Sequence, residues 1–447
     1  MIKENGQKYK VNDQIYNIFG KPCVLWHKIW YSLIMNEDVT QHYSIAYDLG
    51  TTTLVGYLCS DVSCKVVSTF SLTNPQTEYG DDVISRITFV TKSKKNVELM
   101  ANALKRGIVE IAEELLNSIG FQLAQGMISK ILLVGNPVIM GSIASVSFED
   151  ICNDVIKLPS IGNYVGADAL SAMLMVDSQR KNDDVELLVD IGTNTEIVLF
   201  DYEGNLATSA AAGPALEGAG ITCGMRAASG AIDYVTLTNG VDMNSDIVLH
   251  TISEVTPVGI CGSGILSLMA CLLDAGIIDN TGYIISKKEA LEKKVPYKLA
   301  AAICEKTSDM HDGLHTTSCR YFKLTQSVII TQEDIRNVQL AKSAIRSGIE
   351  ILISMKKLTS SVIGKIHLAG AFGNHITIDS AIKLGLLPDI TPKKIEQSGN
   401  LAGLGAVAML VDNDLITRAM ELKDTTLTVP LDEESAFKDM FLKYMSF

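Results

Sequence analysis

Tyr43-Ser44-Ile45-Ala46-Tyr47-Asp48-Leu49-Gly50-Thr51-Thr52-Thr53-Leu54-Val55-Gly56-Tyr57-Leu58 returns in altered form as Glu186-Leu187-Leu188-Val189-Asp190-Ile191-Gly192-Thr193-Asn194-Thr195-Glu196-Ile197-Val198-Leu199-Phe200. Each stretch reads as an apolar strand ending in Asp, a Gly-Thr turn and a second apolar strand, which is the pattern of a β-hairpin. The turn does more than reverse the chain. It sets a carboxylate, a glycine and hydroxyls at the tip, where backbone N–H groups can face a polyanion. Two such hairpins with matched strands imply a duplicated domain that holds phosphates between its halves.

A second matched pair extends the duplication. Lys130-Ile131-Leu132-Leu133-Val134-Gly135-Asn136 leads into a helix-like Val138–Ser142–Ile143 stretch, and Lys365-Ile366-His367-Leu368-Ala369-Gly370-Ala371-Phe372-Gly373-Asn374 leads into Ile376–Ile382. Before each lies a long segment with helical spacing, about Val97 to Ile119 and Glu333 to Met355. The order hairpin, third strand, long helix, strand, helix therefore occurs twice. The second copy is interrupted by an insertion from about Ala227 to Gln332.

With 447 residues, 47% hydrophobic and 20% charged, the chain is long enough for two or three domains with sizeable cores. Its net charge of −13 argues against a nucleic-acid surface, which requires clustered Lys and Arg. Met1 to Lys10 is polar and contains no apolar core of a secretory signal. Gly259 to Ile278 is apolar until Asp274 but carries four glycines, and reads as a buried helix behind a glycine turn rather than a membrane span. The expectation is a cytoplasmic protein that binds neither membrane nor nucleic acid. The nine cysteines, Cys23, Cys59, Cys64, Cys152, Cys223, Cys261, Cys271, Cys304 and Cys319, are dispersed without a C-x₂-C pair. They read as reduced structural thiols, with no iron–sulfur or zinc site. His311 and His315 have H-x₃-H spacing but bracket Asp312 and Gly313, and read as loop residues.

At its two hairpins the chain resembles the actin-like ATPase superfamily. Asp48–Thr53 resembles that superfamily's first phosphate motif, Asp190–Thr195 its second, Ile366–Gly373 its adenosine motif, and Leu401–Val407 its closing helix. Longer strings are more selective: Leu72–Ile87 with Asn74-Pro75-Gln76 and Tyr79-Gly80-Asp81-Asp82, then Ala212–Ala219, Gly224–Ile232, Pro257–Ile265 and Leu368–Gly373. In this order they are similar to the C-terminal ATPase region of the reductive activators of corrinoid proteins, over about Tyr43 to Leu410. The resemblance implies an α/β fold of duplicated ribonuclease-H-like domains with the nucleotide in the interdomain cleft. Residues 43–183 would form the first ribonuclease-H-like subdomain, and 184–447 the second, with the insertion at about 227–332. Residues 1–42 read as a short extension. Full-length activators carry an N-terminal [2Fe–2S] domain held by four thiolates, whereas only Cys23 precedes the first hairpin here. The expectation is an activator without its own cluster, supplied by a separate electron donor.

The expected cofactors are ATP and Mg²⁺. Gly50, Thr51, Thr52 and Thr53 would bind phosphate through amides and hydroxyls, and Asp48 would orient Mg²⁺ through its waters. Gly192, Thr193 and Asn194 would serve likewise at the second tip. Asp190 would position or deprotonate the attacking water, or bind metal. Gly370, Ala371 and Gly373 would let adenine and ribose approach the backbone, with Asn374 near the helix start. Gly262 and Ser263, in a second glycine-rich turn, would bracket the nucleotide or simply pack a helix on a strand. Asn136 reads as a strand terminator or a water-orienting group, and Glu196 as a sheet-edge acid or a supporting carboxylate. Gly213–Gly220 reads as a loop beside the second tip that contacts partner or substrate. Tyr79–Asp82 with Arg86 is a similar candidate, unless Asp81 or Asp82 only caps a helix.

The resulting expectation is an ATPase, catalytic through Asp48 and Asp190, that couples nucleotide state to return of a Co(II) corrinoid protein to Co(I). A homodimer is implied by the resemblance alone. The alternatives are a small-molecule kinase of the same fold, which needs an acceptor-facing Asp that no stretch supplies, and a nucleotide-dependent scaffold or chaperone for metalloprotein assembly. No G-x₄-G-K-[ST] occurs, which excludes a P-loop enzyme.

Overall fold

The computed structural model describes residues 2–4, 7–9, 42–80, 82–144, 146–162, 164–180, 184–238, 246–309, 316–373 and 376–447. Cys23, Asp81, His311, Asp312, Gly313, His315 and Asn374 lie outside the described residues. The chain divides into two compact units, one comprising Met1–Leu188, Phe200–Thr208 and Ser398–Val429, the other Val189–Leu199, Ser209–Gln397 and Pro430–Phe447.

Both quoted stretches are hairpins. Tyr43–Leu49 pairs antiparallel with Thr53–Ser60, with Leu49 opposite Leu54 nearest the tip. Val185–Ile191 and Thr195–Phe200 are neighbouring strands joined by three residues. A five-stranded sheet runs in the order Lys65–Thr73, Thr53–Ser60, Tyr43–Leu49, Ile128–Gly135, Val155–Lys157. A six-stranded sheet runs Thr426–Thr428, Asn205–Ala210, Thr195–Phe200, Val185–Ile191, Ile363–Ala369, Ile395–Gly399. Leaving aside Thr426–Thr428, both follow one order: third, second, first, fourth and fifth strand of each copy. The duplication inferred from the repeated stretches is thus a duplication of topology.

Why Tyr43–Leu49 is apolar almost throughout follows from its central place, since a strand covered on both faces needs apolar side chains on both. Alternate residues go to opposite cores. Ile45, Tyr47 and Leu49 pack with Leu104, Ile108, Ile111 and Leu115 of the helix Lys94–Asn117. Ala46 packs with Leu132, Val134 and Leu170 and with Ala406, Met409 and Leu410 of the helix Leu401–Val411. Asp48 continues the Ala46 face, so the pleat delivers its carboxylate to the N-terminal end of that helix.

The two long helices end close to where the periodicity placed them, at Lys94–Asn117 and Gln332–Met355. The first is capped by the Ser93 side chain, the second by a reciprocal pair of bonds between Thr331 and Asp334. The glycine-flanked apolar stretch forms the buried helix Gly262–Asp274. Among the described residues no helix is long and apolar enough to cross a membrane. The insertion holds this helix and two three-stranded sheets, Ile247–Thr251 with Ala231–Leu237 and Gly259–Ile260, and Ile303–Asp309 with Thr316–Lys323 and Ile329–Thr331.

Candidate functional site

At the first tip Gly50 N–H donates to Thr53 O at 3.0 Å, closing the turn. Thr51 is buried, and its Oγ1 accepts from Asn136 Nδ2 at 3.0 Å. Asn136 also caps the helix Pro137–Ser142, its Oδ1 accepting from Val138 N and Ile139 N, both at 3.1 Å. It ends a strand, as its position suggested, and braces the Thr51 hydroxyl as well. Asp48 Oδ2 accepts from Asn400 Nδ2 at 2.7 Å, and the same amide nitrogen lies 3.2 Å from Tyr57 Oη.

Asp168, in the first turn of the helix Ala167–Asp177, joins this carboxylate. Gly166 lets that helix start close by, because a side chain there would stand 2.6 Å from Gly135 O and 2.7 Å from Asn136 Cα. Asp48 and Asp168 are half-buried carboxyls whose negative charges oppose each other. Removal from water raises Asp48 to about 6 against a lowering by its bond to Asn400. Removal from water raises Asp168 to about 7, with its bond to Ala169 N–H lowering it and the Asp48 charge raising it further. Both carboxyls therefore keep their protons to higher pH than solvated ones do.

The second tip is assembled differently. Thr193 O accepts from Gly213 N–H at 2.9 Å, and Thr193 Oγ1 donates to Glu217 Oε1 at 2.7 Å. The Gly213–Gly220 loop thus lies against this tip, as expected, and contributes a carboxylate. Asp190 and Ile191 end their strand beside Gly370, which has φ of +90°. A Cβ on Gly370 would lie 2.5 Å from Ile191 O and 2.7 Å from Asp190 Oδ1. Glu196 is buried and accepts from Ser209 Oγ at 3.1 Å. Gln397 Nε2 donates to Gly373 O at 3.2 Å and to Ile376 O at 2.7 Å, fixing the end of the Gly370–Gly373 segment.

Gly262 and Ser263 are buried in the first turn of the helix Gly262–Asp274. Ser263 Oγ lies 3.4 Å from Cys261 Sγ, and Gly264 sits directly on Ile232 of the neighbouring strand. Asp82 caps the helix Val83–Val90, accepting from Ser85 N at 2.7 Å. Arg86 turns inward and is 1% exposed, which removes it from any partner-facing surface.

Asp168, Asn400 and the inward role of Arg86 were not legible as site features. Asp168 stands where an acid routinely favours a helix start, and Asn400 where an Asn routinely caps one, so neither residue type is unusual for its local pattern. Among the described residues eight cysteines are free, and no cluster of three or more His, Cys, Asp or Glu has metal-holding geometry.

The repeated strand order with acid-bearing hairpin tips defines an actin-like ATPase fold. Residues 184–447 match the family described as the C-terminal domain of RACo, the ASKHA domain, and residues 43–156 match the RACo middle region. The chain belongs to the RACo family of reductive activators. It is 31% identical to the corrinoid activation enzyme RamQ of Eubacterium limosum, over 91% of this chain and 70% of that protein. It is 26% identical to the [Co(II) methylated amine-specific corrinoid protein] reductase of Methanosarcina barkeri, over 66% of this chain and about half (52%) of that protein. The solved structure of a reductive activator for corrinoid, iron-sulfur protein superimposes with a TM-score of 0.76 at 29% identity, over 92% of this chain and 67% of that one.

Proposed function

We propose that this chain is an Mg²⁺-dependent ATPase whose nucleotide cycle supports the return of a Co(II) corrinoid protein to Co(I). The electron comes from a separate donor. Its family membership and the names of its relatives support the corrinoid partner. The observation that carries the nucleotide half is the first tip. Hydroxyls and amides of Thr51 and Thr52 suit phosphate oxygens, and Asp48 stands beside them with an amide donor and a second acid. Such a donor set fits a hydrated Mg²⁺, since oxygen ligands and retained waters are what that ion prefers. When bound, Mg²⁺ would neutralise phosphate charge.

Asp48 would hold the ion's waters, with Asn400 fixing the carboxylate. Asp190 would orient or deprotonate the attacking water, and Gly370 leaves the space its carboxylate occupies. Thr193 and Gly192 would receive phosphate oxygens, with Glu217 setting the Thr193 hydroxyl. Gly370, Ala371 and Gly373 would line the adenosine, and Gly262 and Ser263 would add backbone donors. Coupling to the partner needs no reaction between ATP and cobalt, because different affinities of the partner for two nucleotide states suffice.

The test is hydrolysis of ATP with Mg²⁺, with and without a Co(II) corrinoid protein and a low-potential reductant. The expected result is corrinoid-stimulated turnover accompanied by Co(I) absorbance. Nucleotide binding with neither signal would overturn the coupling, and turnover undiminished in Asp190→Asn would remove Asp190 from its role.

A further inference from the structure

Behind the first tip, one short segment binds three consecutive carbonyls. Asn74 Nδ2 donates to Gly50 O at 2.9 Å, Arg86 Nη2 to Thr51 O at 2.7 Å, and Asn74 N–H to Thr52 O at 3.0 Å. Arg86 Nε also donates to Gly80 O at 2.9 Å, tying the end of the 3₁₀ turn Pro75–Tyr79 to the same guanidinium. The segment is itself anchored. Asn74 Oδ1 accepts from Gln76 N at 2.9 Å, and Gln76 Nε2 reaches Met100 O at 3.2 Å on the long helix and Ser142 Oγ at 3.1 Å. Asn74, Gln76 and Arg86 are at most 1% exposed.

The consequence is directional. A trans peptide points its N–H opposite to its C=O. Securing the carbonyls of Gly50, Thr51 and Thr52 behind the loop therefore turns the amides of Thr51, Thr52 and Thr53 the other way. Successive N–H groups aimed in one direction form an anion-binding nest. The guanidinium also places a fixed positive charge behind it, in a setting where water cannot screen it well. The second tip is held by other groups: a backbone amide secures its Thr193 carbonyl, and the acid Glu217 takes its hydroxyl.

We propose that Asn74 and Arg86 are positioning residues that hold the first hairpin tip in its phosphate-receiving conformation, so that nucleotide phosphate affinity depends on a segment that does not itself touch nucleotide. This rests on the reading of the tip as a nucleotide phosphate site. It also gives the Asn74–Arg86 stretch, part of the longest distinctive string in the chain, a role in the loop's shape rather than in partner contact.

Two variants test it. Arg86→Lys keeps the charge but cannot bridge Thr51 O and Gly80 O together. Asn74→Asp keeps the acceptor that caps Gln76 N and removes the donor to Gly50 O. In each, the affinity for ATP is expected to fall at least about tenfold, the scale of a lost hydrogen bond to or from a charged or buried group. Affinity for adenosine, which has no phosphate, should stay within about twofold. Hydrogen exchange at Gly50 and Asn74 should quicken while that of Ile363–Ala369 is unchanged, which distinguishes a loosened tip from general unfolding. Folded variants that bind ATP as tightly as the wild type, or that lose ATP and adenosine affinity equally, overturn the proposal and leave the nucleotide reading standing. A wild-type protein that prefers ATP to adenosine by no margin overturns the nucleotide reading and this inference with it.

Discussion

Asn400 Nδ2 lies 2.7 Å from Asp48 Oδ2, joining the residue that caps the closing helix to the acid at the first hairpin tip. The same Asn400 accepts from Gly403 N–H at 2.9 Å through its Oδ1. One amide therefore does two jobs, starting a helix and aiming a carboxylate.

Replacing Asn400 by Ser separates these jobs. Serine retains an oxygen able to cap the helix, and its cost in stability should stay below about 1 kcal/mol. It is too short to reach Asp48, so Mg²⁺-dependent ATP turnover should fall about tenfold or more, as expected for a lost charge-assisted bond. Thermal unfolding and steady-state turnover measured side by side check this. Equal turnover in variant and wild type would show that Asp48 needs no such brace.

The paired acids predict a pH dependence of stability in Mg²⁺-free, nucleotide-free protein. Unfolded carboxylates titrate near about 4, whereas Asp48 is raised to about 6 and Asp168 to about 7. Between those limits the folded state holds protons that the unfolded state has released. Their stabilising contribution is therefore complete below about pH 4 and is lost as pH rises to about 7. Asp168→Asn removes one of the two groups and the like charge on the other, so the loss should be smaller and centred at lower pH. Unfolding midpoints recorded across this range in chelator check it, and superimposable profiles for variant and wild type would refute it.

Gly370 carries the backbone at φ +90° against Ile191 O and Asp190 Oδ1. A methyl group meets both a strained backbone and occupied space, for a cost of roughly 1–3 kcal/mol from the backbone alone. Gly370→Ala should lower the unfolding midpoint by several degrees and reduce hydrolysis further than that loss accounts for, because the displaced neighbour is Asp190. Calorimetry and turnover below the unfolding range are the measurements. A stable variant with full activity would mean the strand end accommodates the methyl without moving Asp190.

Lys342 is buried within the helix Gln332–Met355, and its ammonium donates to Ser446 O with the Phe447 ring 5.5 Å away. Removal from water, with the Arg346 charge adding to it, lowers its pKa to about 8. The unfolded chain holds that proton up to about pH 10.4, so between these limits the unfolded state binds more protons and this group's contribution to stability rises with pH. Lys342→Met removes the titration. The stability difference between wild type and variant, from urea unfolding at several pH values, should shift in favour of the wild type above pH 8. A constant difference would show that the buried amine does not titrate in this window.

Much of the fold was legible because it depends on local rules. The stretches Asp48-Leu49-Gly50-Thr51 and Asp190-Ile191-Gly192-Thr193 required a turn between apolar strands, and each became a hairpin. The long helices were announced by their apolar spacing, and the glycine-flanked stretch at Gly259–Ile278 contained too many glycines for a span and became a buried helix. The shared strand order of the two sheets followed from the repeated order of elements. The candidate site was only half visible. Asp48, Thr51, Asp190 and Gly370 stood out because an acid, a glycine and hydroxyls between apolar strands, or a glycine run at a strand end, serve few ordinary structural needs. Asp168, Asn400 and Asn74 did not, since each also satisfies a common local need as helix-start acid, cap or turn residue, and Arg86 was read as a partner-facing cation where the structure turns it inward.

By itself the sequence determined a duplicated α/β chain and the two acid-bearing hairpins, because strand alternation, helical period and turn chemistry act over a few residues; its likeness to an activator family rests instead on the order of its longer distinctive strings. Only the tertiary structure decided which residues stand behind the first hairpin. Asn74 and Arg86 are 24 and 35 residues from the carbonyls of Gly50 and Thr51 that they hold, and Asn400 is 352 from Asp48. Such pairs are set by the pleat that sends Asp48 to one face and by the packing of helices onto that face. No short window of sequence contains that information.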